Sequence, residues 1–164
     1  MNGRMLVAGI GNIFLGDDGF GVTVANRLAQ ERLPEWVRVE DYGIRGMHLA
    51  YELTGGGYDT VVVIDATPRG QAPGTVYLIE PDVTPRPGTH VDAHSMTPDA
   101  VFRTADALGG IGCRVLIVGC EPANTEEAMG LSEPVKQAVD ESLRLAHALI
   151  RQHEAKVWDA TKAS

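Results

Sequence analysis

Short apolar runs punctuate this chain, separated by stretches in which apolar side chains recur every three or four positions. Met5 to Ala8 is apolar throughout, closes at Gly9, and predicts a buried first strand. Phe20, Val24 and Leu28 follow at a spacing of four and mark one face of a helix ending near Pro34. Val37 to Asp41 predicts a second strand, followed by the turn Gly43-Ile44-Arg45-Gly46. A helix from about Met47 to Leu53 stops at the glycines 55–57. Thr60 to Ile64 is β-branched on both faces, the pattern of a central strand.

The next strand, Thr75 to Glu80, starts only ten residues after Asp65. A parallel crossover needs about a dozen or more connecting residues, usually with a helix, and the sequence ATPRGQAPG supplies none. This strand is therefore expected to run antiparallel to the third, at a sheet edge. A Pro-rich connection from Pro81 to Met96 leads to Thr97-Pro98-Asp99, an N-cap followed by proline at the first helical position. Arg114 to Val118 predicts another strand. Ser132 is expected to cap a last helix carrying Val135, Ala138, Val139, Leu143, Ala146 and Leu149 on one face. The order predicts a single three-layer α/β domain: a mostly parallel twisted sheet of about five strands with one antiparallel strand, and helices on both faces. After Ile150 the pattern fades, and residues 151–164 are expected to fray.

Composition narrows the function classes. The 164 residues fit one domain, with 44% hydrophobic and 22% charged residues. A formal net charge of -8, with Lys and Arg scattered singly, disfavours nucleic-acid and anionic-membrane binding. No apolar run is long enough to span a membrane, and the first residues are too short of apolar side chains for a secretory h-region. Cys113 and Cys120 lie at opposite ends of one predicted strand and form no disulfide framework. A reduced, cytoplasmic protein is expected.

In such a sheet, ligands sit beyond the carboxyl ends of the parallel strands. Asp17 or Asp18 after the first strand, Asp41 ending the second and Asp65 ending the third all map there. The antiparallel strand leaves the chain at the opposite edge, so the 81–96 connection must return, bringing Asp92 and His94 with it. Cys120 and Glu121 emerge at the same edge. Two carboxylates and an imidazole brought together repel or are desolvated unless a cation or proton is shared. They also make a plausible three-ligand site for a divalent metal with positions left open. His48, His147 and His153 are expected on helices facing solvent, and His90 shares the loop of His94.

Competing chemistries fit less well. Gly9 and Gly11 suggest a dinucleotide-binding turn, but Phe14 stands where a third glycine belongs. A carboxylate about 5 Å from a phosphate, at an effective dielectric near 20, costs roughly 3 kcal/mol, so Asp17 and Asp18 argue against pyrophosphate. Asp41 keeps that alternative open as a ribose-binding acid. A thiol hydrolase built on Cys120 and His94 is disfavoured because the charge of Glu121 would raise the thiol pKa. A non-catalytic metal-binding or chaperone-like module stays open, since a ligand set alone does not distinguish binding from turnover.

The segments GIGNIFLGDDGFGV, DYGIRGMHLA, VVVIDA and VDAHSMTPDAV occur in the order found in the hydrogenase maturation endopeptidases, which the chain resembles over about residues 4–150. The resemblance implies a protease that removes a C-terminal extension from the large-subunit precursor of a nickel-iron hydrogenase. Cleavage follows nickel insertion, and the bound nickel is the recognition mark. Carried over residue by residue, the metal ligands and catalytic positions fall on Asp18, Asp65 and His94, with Asp17 left as a loop or capping residue. The family often shows Gly-Thr where this chain has Gly43-Ile44-Arg45-Gly46, so Arg45 is a candidate contact for the precursor, together with Asp41, Gly43 and Gly46. The nickel is expected to arrive with the substrate. Either it positions and polarises the scissile bond, or one carboxylate acts as base for the attacking water.

Overall fold

The computed structural model describes residues 3–84 and 97–163. Five strands form one sheet in the order β2-β1-β3-β5-β4. They are β1 (Met5–Ile10), β2 (Val37–Gly43), β3 (Thr60–Ala66), β4 (Val76–Ile79) and β5 (Arg114–Cys120). The helices are α1 (Phe20–Ala29), α2 (Gly46–Thr54), α3 (Pro98–Ala107) and α4 (Glu133–Ala163). β1 pairs in parallel with β2 and β3, β3 pairs in parallel with β5, and β4 runs antiparallel on the outer edge of β5. The expected antiparallel edge strand is therefore present, but β5 lies between it and β3.

Alternation along the strands divides the core into two layers. Met5, Val7, Val62, Ile64, Leu116 and Val118 meet α1 and α4, with Phe20, Val24, Val135, Val139 and Leu143 among their partners. Leu6, Ala8, Val61, Val63, Val115 and Ile117 meet α2 and α3 through Leu49, Leu53, Val101, Phe102 and Ala105. Both faces of β3 are thus covered, and all seven of its residues are buried. Thr97 caps α3 as its sequence predicts, its hydroxyl accepting a hydrogen bond from Ala100 N at 3.3 Å.

Four strands, β1, β2, β3 and β5, extend two residues further toward their carboxyl ends than their sequence runs suggest. Pairing with neighbours continues through Gly9–Asp41 and Asp65–Gly119, so both acids stand within the sheet near the strand ends, where they were expected. α1 lies unusually close over these strand ends. A Cβ on Gly21 would stand 2.0 Å from Ile64 O and 2.5 Å from Ile10 O, so only glycine permits this approach.

α4 continues to Ala163, well past the point where its sequence pattern fades. The reason lies in His153, which was expected to face solvent and is instead buried. Its ring packs on Trp36 at 5.2 Å, with Nε2 at 3.2 Å from Gly3 O and Nδ1 at 3.5 Å from Thr60 Oγ1. His147 is half-buried against Glu31 at 2.8 Å, and His48 is exposed as expected. No described helix is long and apolar enough to cross a membrane.

Candidate active site

The loop after β1 is built to send two adjacent carboxylates in different directions. Gly11 adopts φ +136°, which side-chain-bearing residues rarely adopt, and a Cβ there would lie 1.9 Å from Asp18 O. Asn12 then folds the chain over itself, its side-chain oxygen accepting from Phe14 N at 2.9 Å and its carbonyl from Leu15 N at 3.1 Å. A short 3-10 turn over Gly16–Gly19 carries the acids into α1.

Asp17 turns inward. Its buried carboxylate accepts four hydrogen bonds: from Ala123 N (2.8 Å), Asn124 N (3.0 Å), Ser132 N (2.7 Å) and Ser132 Oγ (2.8 Å). Burial alone would raise its pKa, but the hydrogen bonds from Ser132, Asn124 and Ala123 outweigh it and hold the group below its ordinary value. Gly16 N and Asp17 N donate back to Ala128 O and Asn124 O, both at 2.8 Å. Asp17 is thus the fastener between this loop and residues 123–132, in keeping with the loop role expected for it. Ser132 precedes α4 as expected, its carbonyl accepting from Lys136 N at 2.9 Å, while its hydroxyl serves Asp17.

Asp18 turns the other way. Its half-buried Oδ2 accepts from Asn12 N at 2.8 Å. Asp65, only 4% exposed, leaves its Oδ1 without a hydrogen-bond partner among the described residues. Burial, and then the negative charge of Asp18, push the Asp65 pKa well above the usual carboxylate range. Gly11 lines the space beside them, where a Cβ would stand 3.7 Å from Asp65 Oδ1. The structure therefore brings Asp18 and Asp65 together. His94, with His90 and Asp92, lies outside the described residues, and no cluster of three metal-ligating side chains occurs among the described ones.

The possible substrate contacts cluster on the connection from β2 to α2. Asp41 accepts from Asn26 Nδ2 at 3.3 Å, and Gly43 O accepts from Gly11 N at 3.0 Å, which links this turn to the acid-bearing loop. Gly46 is buried as the first residue of α2. Arg45 is exposed, yet its guanidinium hydrogen-bonds to the carbonyls of Asp41 and Tyr42 and lies 5.8 Å over the Tyr42 ring.

Cys120 is fully buried, and burial together with the charges of Asp17 and Glu121 pushes its thiol up to about 12. That suits a packing residue rather than a nucleophile. The buried Glu121 carboxylate accepts from Arg69 N (2.8 Å), Gln71 N (3.0 Å) and Tyr77 OH (2.7 Å), and so shapes the connection that leaves β3 after Asp65.

A family model described as "Hydrogenase maturation protease" matches residues 22–149. The chain belongs to the hydrogenase maturation protease family. It is 32% identical over 153 residues to a hydrogenase expression/formation protein of Azotobacter chroococcum, covering 91% of this chain and 72% of that one. It is 28% identical over 152 residues to the hydrogenase 2 maturation protease of Escherichia coli, covering 91% and 92% of the two chains. Among solved structures, the hydrogenase maturating endopeptidase HybD of E. coli superposes with a TM-score of 0.73 at 25% identity, covering 91% and 93% of the chains. A maturation protease from Thermococcus kodakarensis gives 0.69 at 26% identity, covering 92% of each.

The protease is therefore an endopeptidase of the α/β class. Two details of how the loops at this edge are held escaped sequence reasoning. Nothing local reveals that Asp17 would bind residues 123–132, and nothing marks Glu121 as an acceptor for a loop some fifty positions earlier in the chain. The glycine at position 21 did carry a signal, because a helix with glycine in its first turn facing a strand end invites close packing.

Proposed function

We propose that this protease removes the C-terminal extension of a nickel-iron hydrogenase large-subunit precursor, and that Asp18, Asp65 and His94 recognise the nickel already inserted there. The observation that carries this reading is the unpartnered Oδ1 of buried Asp65 beside the charged Asp18. A desolvated carboxylate with a like charge at its side calls for a cation or a proton. Two oxygen ligands and one imidazole suit a borderline divalent ion and leave positions for ligands from the substrate.

The nickel is substrate cargo in this reading and arrives with the precursor, in the reducing cytoplasm. The chain's own groups bind it and orient the peptide. Asp65 is held rigid inside β3, while Asp18 is set by the Asn12 amide and anchored through its neighbour Asp17. Asp41, Gly43, Arg45 and Gly46 flank the approach and are assigned to precursor contact. The shared chemistry of the pair also lets one carboxylate accept a proton from the attacking water.

The test compares nickel-loaded and nickel-free precursor, followed by mass spectrometry of the large subunit. C-terminal shortening is expected only with nickel, and is expected to disappear in Asp18→Ala, Asp65→Ala and His94→Ala. Cleavage that survives all three substitutions rejects the site assignment.

A further inference from the structure

Exposed apolar side chains are unevenly distributed over this molecule. Of nine large ones among the described residues, five lie where the chain leaves the carboxyl ends of β1, β2 and β5: Ile13, Phe14, Ile44, Met47 and Met129, each 37–68% exposed. Backbone hydrogen bonds join the segments that carry them. Ala128 N donates to Phe14 O at 3.0 Å, which sets Met129 beside Phe14. Gly11 N donates to Gly43 O at 3.0 Å, which joins the loop of Ile13 to the turn of Ile44 and Met47. Ile13 sits over Gly19, where a Cβ would stand 3.1 Å from Ile13 Cα, immediately after Asp18.

The result is an apolar rim on the sheet edge that carries the Asp18–Asp65 pair. Clustered exposed apolar groups on a soluble protein mark an interaction surface. At about 200 Å² for a fully exposed large side chain, the five offer roughly 500 Å². That falls short of the about 800 Å² each partner buries in a stable complex, and fits a transient encounter. A second copy of this chain is a poor occupant, because it would bring a net charge of -8 and its own acids against the same carboxylates.

We propose that this rim is the docking surface for a folded protein that presents a bound cation inside an apolar surround. Resting on the peptidase reading above, that partner is the nickel-loaded precursor. Ile13, Phe14 and Met129 grip it from the loops after β1 and β5, Ile44 and Met47 from the connection after β2. The acids read the cation and the rim reads the surface around it.

The test mixes the full chain with the nickel-loaded large-subunit precursor of the hydrogenase from the same cell, and measures binding and cleavage separately. Phe14→Ser, Ile44→Ser and Met129→Ser are each expected to weaken binding and raise KM about tenfold, with kcat within about twofold and the thermal midpoint unchanged. Leu108→Ser, also exposed but at the far end of α3, is expected to change neither. Unaltered KM and binding in the three rim variants overturns the proposal. So does a wild-type dimer that the same substitutions split, since the rim then belongs to a second copy. Precursor binding that the rim variants lose, although the wild-type chain cleaves nothing, upholds the docking surface and rejects the peptidase reading instead.

Discussion

Replacing Asp17 separates the two adjacent acids by what each one holds. In Asp17→Ala the amides of Ala123, Asn124 and Ser132 and the Ser132 hydroxyl all lose their acceptor. A hydrogen bond to a charged group contributes about 1.5–3 kcal/mol, and a buried donor left unpaired costs about 1–3 kcal/mol. Water entering the vacated space recovers part of this, so roughly 3–6 kcal/mol is expected, against about 5–15 kcal/mol for a whole domain. Asp17→Asn retains one oxygen but turns an NH2 toward a donor, and is expected to lose about 2–3 kcal/mol. Urea unfolding followed by circular dichroism gives both values. The pH dependence provides a second check. Because the folded-state pKa of Asp17 is depressed, its contribution is present above the unfolded value of 3.8 and is lost as pH falls through the lower folded value. Asp17→Asn should flatten stability in that acid range, measured in an Asp65→Asn background so that the oppositely shifted Asp65 does not intrude. A stability loss below about 1 kcal/mol in Asp17→Ala would refute the fastening role. A fully stable Asp17→Asn that has lost cleavage would make Asp17, not Asp18, the functional acid.

Asp65→Asn is expected to abolish cleavage while raising metal-free stability at pH 7 by about 1 kcal/mol, since it removes a carboxyl whose ionised form is disfavoured by burial and by Asp18; a lowered thermal midpoint contradicts this. Cys120, with its thiol at about 12, is expected to resist iodoacetamide at pH 8 in the native protein and to react once urea unfolds it, as read by mass spectrometry. Rapid native labelling would show that the residue is open to solvent. Truncation after Ile150 removes His153 from Trp36, Thr60 and Gly3 and is expected to lower stability by about 2–4 kcal/mol; an unchanged urea midpoint would mean that the end of α4 packs on nothing.

The layers of this fold were readable because alternation in strands and spacing in helices follow directly from which face is buried. The antiparallel β4 was readable for a different reason: nine residues rich in proline and glycine cannot return a chain across a sheet. Its neighbour was not, because nothing in its own sequence says that a later strand will slot in beside β3. The convergence of Asp18 and Asp65 followed from topology, whereas the opposite fates of Asp17 and Asp18 are decided by donors more than a hundred positions away. His153 misled for the same reason. A helix whose apolar stripe has faded looks solvated until its contact with Trp36 and Gly3 is seen, and both partners lie near the start of the chain.

Asp17 also orders events in time. Its partners are separated from it by 106 to 115 positions, so the loop carrying Asp18 has nothing to fasten to while the first hundred residues emerge from the ribosome. The first strand and helix can meet early, but the acid pair is set only after residues 123–132 have been made and drawn back over them. A nascent or truncated chain therefore carries the acids without their arrangement. Competence to process another protein is reserved for a chain that has finished folding itself.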